Sequence, residues 1–144
     1  VRGLRAPHPR SPYPATMTKT SHLEGSVWTI RAVRTDGTMV PVEAGFRPAM
    51  VTFGDDGRYS GSTGCNNFFG QFSEAGDGVV SGPIGSTMMM CPDTLMVQER
   101  RVLSALEATR AIEVAGDVLV MIDGEGATLV EAEVSVDSAE DPPR

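Results

Sequence analysis

Apolar residues recur along this chain in short runs broken by glycine, aspartate and proline, a spacing that predicts strands over most of its length. Val27-Trp28-Thr29-Ile30-Arg31-Ala32-Val33 is rich in β-branched and aromatic residues and predicts the first strand. Asp36-Gly37 marks a turn, and Thr38 to Val42 predicts a short edge segment, because Pro41 cannot donate to a ladder. Ala49 to Phe53 is a second clear strand, and the turn Asp55-Asp56-Gly57 leads into a hairpin partner at Arg58 to Gly61. Phe69 to Ser73 and Gly78 to Ser81 predict short strands around Gly76-Asp77-Gly78, with Ile84 to Met90 extended after them. Ile112 to Val114, Val118 to Ile122 and Thr128 to Val134 return to the strand pattern at the C-terminal end.

One segment breaks that rhythm. Residues 94–109 contain neither Gly nor Pro and are rich in good helix formers, so they predict a helix capped by Asp93 or Thr94. Its apolar stripe runs through Leu95, Val102 and Leu106, with a second through Met96 and Leu103. The fold class is therefore mainly β (α+β): a curved antiparallel sheet or small β-barrel with one packed helix. No segment is repeated.

Domain organisation follows from the ends. Residues 1–22 carry Pro7, Pro9, Pro12 and Pro14, lack apolar periodicity, and predict a disordered basic tail. Residues 23–134 are the folded body, and residues 135–144 form an acidic, proline-ended tail expected to fray. No apolar stretch of about 7–15 residues follows the N-terminal arginines, as an export signal requires, so a cytoplasmic location is expected. Met17 and Val1 are both candidate natural starts.

Charge narrows the function. The 144-residue chain has a formal net charge of -7, yet Arg2, Arg5, Arg10 and Lys19 all sit in the first 22 positions. The remainder holds 8 basic and 19 acidic residues, a balance of -11 that repels phosphate backbones and argues against nucleic acid as a partner. No apolar run approaches the roughly 20 residues that span a bilayer. Both histidines, His8 and His22, fall in the tail, which removes Ser-His-Asp and Cys-His catalysis from the body.

Unusual residue types cluster in one place: Gly64-Cys65-Asn66, then Thr87-Met88-Met89-Met90-Cys91. If the second run is extended, Thr87, Met89 and Cys91 share one face and Met88 and Met90 the other. Core filling by methionine is the expectation, with a soft Cu(I) site as the alternative, and no metal or cofactor is expected. Cys65 and Cys91, the two cysteines, are expected close together, as thiols in a reducing cytoplasm or as a disulfide in an oxidising compartment. Asn66 is expected to bond neighbouring backbone or adopt a left-handed conformation, and Phe68 and Phe69 to plug the core beside it. Glu99 lies on the apolar side of the helix, where a carboxylate needs partners, so it is expected to be an anchor rather than a shifted functional acid. Asp55-Asp56-Gly57 and Asp123-Gly124-Glu125-Gly126 lack the spaced series of a calcium loop and predict turns.

These residues together resemble the META domain (HslJ-like) family. The matching pattern is Trp28, Gly61, Gly64-Cys65-Asn66, Gly70, Thr87-x-Met89-x-Cys91, Glu99 on a helix, Leu106, and closing strands ending near Val134. The resemblance implies a lipocalin-like curved sheet with one helix and no established enzyme activity. It also implies a bacterial, stress-associated protein that is often exported or anchored in the cell envelope. A non-enzymatic module binding a small ligand or protein, monomeric, is the resulting expectation, with the barrel mouth or a groove beside the helix as its site. The alternative is a thiol- or carboxylate-dependent enzyme using Cys65 and Cys91 or Glu99.

Overall fold

The computed structural model describes residues 16–135. Residues 1–15 and 136–144, on which most of both predicted tails fall, lie outside the described residues. The described residues form eleven strands and one α-helix: β1 (Thr16–Met17), β2 (Val27–Thr35), β3 (Thr38–Pro41), β4 (Met50–Phe53), β5 (Arg58–Ser62), β6 (Asn67–Ala75), β7 (Gly78–Ser81), β8 (Gly85–Ser86), α1 (Asp93–Ala108), β9 (Ala111–Ala115), β10 (Val118–Ile122) and β11 (Thr128–Val134).

All strands belong to one antiparallel sheet with the order β1-β9-β10-β11-β2-β4-β5-β6-β7, while β3 adds to β2 and β8 to β6. The sheet curls until its ends nearly meet. Val79 of β7 donates its N–H to the Arg110 carbonyl at 2.8 Å, just before β9 begins. Gly78 lies against the same carbonyl, which leaves no room for a Cβ. Curvature also comes from β2, whose pairing with β11 slips by one residue between Glu131 and Ala132. That bulge shifts the inward phase, so Trp28 and Ile30 point in and then Val33 does, after a three-residue step.

Interior side chains fill the barrel. Phe53, Phe68, Leu119, Met121, Val51 and Val130 are all fully buried in one cluster. The helix joins this cluster through Val102, Ala105 and Leu106, and it packs against β2, β11 and β7 together. It therefore crosses the barrel rather than lying on one wall.

Several expectations need correction. Thr16 to His22, placed in the predicted tail, take part in the fold: β1 pairs with β9 and a 3-10 turn at Thr20–Leu23 buries Leu23; pairing with a strand so distant in the chain leaves no local pattern. Pro92, not Asp93 or Thr94, stands at the helix N-cap, and its carbonyl accepts the Leu95 and Met96 amides at 2.9 and 3.1 Å. Asp93 instead places its charge in the first turn, where the helix dipole favours it. Of the segment Ile84 to Met90, only Gly85–Ser86 is strand. Phe69 is exposed, since its neighbour Phe68 takes the inward position and adjacent strand residues face opposite ways.

Candidate functional site

The turn between β5 and β6 is where the predicted residues meet. Gly64 has φ +103°, a conformation glycine adopts without strain. Its N–H donates to Ser62 Oγ at 2.9 Å, and its carbonyl accepts the Phe46 amide at 2.9 Å. Gly45 lies so near that carbonyl and the Leu95 side chain that a Cβ there would collide with both. The loop from Glu43 is thereby pressed onto the turn.

Glu99 reaches the turn from α1. One carboxylate oxygen accepts the Thr63 hydroxyl at 2.8 Å and the Asn66 backbone N–H at 3.2 Å, and the other accepts Asn66 Nδ2 at 3.1 Å. The group is 9 % exposed, so three donors stand where water would otherwise solvate it. Neighbouring Gln98 clasps the loop like a strand: its Oε1 accepts the Glu43 amide, and its Nε2 donates to the Glu43 and Thr63 carbonyls, each at 2.9 Å.

Asn66 carries the network onward to the methionine run. Its Oδ1 accepts the Met89 N–H at 2.6 Å and the Thr87 hydroxyl at 2.9 Å, while Nδ2 also donates to the Met89 carbonyl at 3.2 Å. The amide therefore pairs with both polar groups of one residue, as a neighbouring strand would. The Thr87 hydroxyl accepts the Asn67 N–H at 3.0 Å, and the Thr87 N–H donates to the Asn67 carbonyl at 3.0 Å. Contrary to expectation, Asn66 bonds residues far along the chain, and its φ is not positive. A side chain takes over where the β6–β8 ladder stops.

Cys65 and Cys91, expected close together as thiols or as a disulfide, are joined as a disulfide, their Cα atoms 6.1 Å apart. The bond closes the same segment from its far end, after the Asn66 clasp has fixed Met89. What these contacts hold up is unexpected: Met88 and Met90 are 88 % and 85 % exposed, and Met89 is 43 % exposed. The core-filling expectation fails because the run is a loop over the turn, not a strand in the wall. Phe46, at 63 % exposure, has its amide on the Gly64 carbonyl of the same turn, and Phe69, on β6, is also exposed. Arg47 borders the patch, with Nη1 donating to Asn67 Oδ1 at 2.8 Å.

All the predicted motif residues, Gly64, Cys65, Asn66, Thr87, Met89, Cys91 and Glu99, are thus brought together. Sequence reasoning missed Thr63, Gln98 and Phe46. Gln98 carried a usable signal, since it lies three positions after Leu95 and four before Val102, as close to the apolar stripe as Glu99. The predicted turns stand apart from this site: Asp123 Oδ1 accepts the Glu125 and Ala127 amides at 2.8 and 3.0 Å. Among the described residues no three or more His, Cys, Asp or Glu gather as metal ligands, and no helix is long and apolar enough to cross a membrane.

Known proteins share the architecture. A protein from Burkholderia xenovorans, solved by NMR, is 22 % identical with a TM-score of 0.65, covering 81 % of this chain and 86 % of that one. A second NMR structure is 19 % identical with a TM-score of 0.63, covering 87 % and 100 %. A crystal structure of a DUF4847 family protein from Bacteroides vulgatus is 13 % identical with a TM-score of 0.53, covering 77 % and 93 %. At these identities the likeness is one of fold. A search of curated proteins found no match. The model of the META domain, however, matches residues 21–135, every strand of the barrel but β1 and all of the clasp, and the chain belongs to the META domain family.

Proposed function

We propose that this META domain is a non-enzymatic binding module of an oxidising compartment, and that it binds protein through the apolar knuckle formed by Met88, Met89 and Met90. The observation that carries this is the exposure of Met88 and Met90, at 88 % and 85 %, on a segment pinned by a disulfide and a buried side-chain network. Clustered exposed apolar residues are costly to leave in water and mark interaction sites. Methionine is flexible and polarisable and adapts to varied apolar partners, and both Met and aromatic residues are enriched at interfaces. Pinning the backbone beforehand lowers the ordering cost of association.

The same contacts speak against the alternative enzyme. Each cysteine sulfur is bonded to the other, and both Glu99 oxygens are engaged by Thr63 and Asn66. The disulfide favours a compartment outside the reducing cytoplasm, such as the cell envelope, where the stress association of the family would also apply. The test is a peptide-display selection against the oxidised protein, followed by methyl NMR of a selected binder. Shifts at Met88 and Met90, with binding lost in Met88→Ser/Met90→Ser at an unchanged thermal midpoint, are expected. Binders that leave these methyl groups unmoved, or a thiol-dependent turnover of any substrate, would refute the proposal.

A further inference from the structure

A second surface, away from the knuckle, has the opposite chemistry. An open groove of about 440 Å³ runs beside α1, walled on the sheet side by Arg34, Thr35 and Leu129. The helix contributes Val97, Arg101, Ser104 and Ala108, spaced so that they form one stripe, with Arg100 and Ala105 flanking it. From Val97 to Ala108 the stripe is on the order of 16 Å long at 1.5 Å per residue. Its floor is apolar, and two alanines keep it open.

Charge makes the groove unusual. Residues 23–144 hold 8 basic and 19 acidic residues, yet three of those arginines line this groove and no carboxylate does. Arg34 alone has an acidic partner, Asp123 at 3.6 Å, and that carboxylate is already shared with two backbone amides. Among the described residues, Arg100 and Arg101 form no ion pair. The buried Thr35 hydroxyl in the wall also has no hydrogen-bond partner.

We infer that this groove binds a small amphipathic carboxylate, its apolar body along Val97, Ala108 and Leu129 and its acid group between Arg34 and Arg101. Guanidinium suits the acid because it offers paired donors that match a carboxylate. A cation or a neutral amphiphile of the same length gains nothing from the arginines. The groove volume lies in the range typical of small-molecule sites, about 300–1,000 Å³.

The experiment is an amide NMR titration of the oxidised full chain with decanoate, and in parallel with decyltrimethylammonium, both kept below their micellar concentrations. Decanoate is expected to saturate with shifts at Thr35, Ser104 and Ala108, and the cation to give no saturation there. Arg101→Gln is expected to weaken decanoate by about tenfold or more, with the free protein's thermal midpoint unchanged, since the position is partly exposed and glutamine is a good helix former. Ala108→Leu, which fills the floor, is expected to abolish the shifts. Equal binding of both amphiphiles, decanoate shifts confined to the methionine knuckle, or no saturation at all would each overturn the inference.

Discussion

Replacing Glu99 with glutamine tests whether the buried carboxylate is an anchor. The substitution keeps size and shape but turns one acceptor oxygen into an N–H donor. If the retained oxygen faces Thr63 and the Asn66 amide, the new NH2 confronts Asn66 Nδ2, now 3.1 Å from a carboxylate oxygen. Asn66 cannot turn its amide to relieve this, because its Oδ1 already accepts the Met89 N–H and the Thr87 hydroxyl. The variant therefore loses one charge-assisted hydrogen bond and sets two donors face to face, together worth about 3 kcal/mol. At roughly 3–4 °C per kcal/mol for a domain of this size, the thermal midpoint should fall by about 10 °C. Urea unfolding followed by Trp28 fluorescence reads the same loss as a lower midpoint with an unchanged slope. Asn66→Asp should also destabilise, by setting a second carboxylate against Glu99. Combined with Glu99→Gln, it lets the new amide at position 99 donate to the new carboxylate at position 66, so the double variant should lose less than the sum of the singles. A stable Glu99→Gln, or strictly additive losses, would refute the anchor and reopen a chemical role for this residue.

Reduction of the Cys65–Cys91 bond, which spans 26 positions, should cost about 3–4 kcal/mol on the loop-entropy account, read as a urea midpoint shift that alkylation makes permanent; an unchanged midpoint would contradict it. Burial raises the Tyr59 pKa above its ordinary 10.0, with the Ser81 hydrogen bond opposing the rise and the Glu107 charge adding to it. The unfolded chain thus releases this proton at lower pH than the native protein. Stability should be intact below pH 10 and fall as pH climbs through the folded value; Tyr59→Phe should remove that alkaline decline, and its persistence would show another group responsible. Gly61→Ala should destabilise by about 3 kcal/mol or fail to fold, because its Cβ would meet the Met50 carbonyl and the Phe68 ring; a midpoint within error of the parent would show the barrel wall able to shift there.

The strands and the helix were legible because their signals are local. Trp28 to Val33, Met50 to Phe53 and Val118 to Ile122 announce themselves by composition, and the helix by its lack of Gly and Pro with an apolar stripe. Glu99 was legible as a charge in need of partners, though not which partners. The methionine run was misread for a physical reason: alternation applies only while a ladder continues, and this ladder stops at Ser86, where the Asn66 side chain replaces it. Nothing near Asn66 in the chain signals that its partners lie more than twenty positions away. Phe68-Phe69 had to be split between core and surface, and which faced inward depended on register set by β5. The redox state of the two cysteines depends on compartment, which their spacing does not encode.

Native-state hydrogen exchange at the methionine run tests the clasp most directly. Met89 is partly exposed in a loop, yet its N–H is held by Asn66 Oδ1 at 2.6 Å. Its amide should therefore exchange as slowly as those of the flanking strands, between fast-exchanging Met88 and Met90, and should lose that protection in Asn66→Ala. Equal, rapid exchange at all three methionines in the parent protein would mean that the knuckle is an ordinary mobile loop and that no clasp presents it.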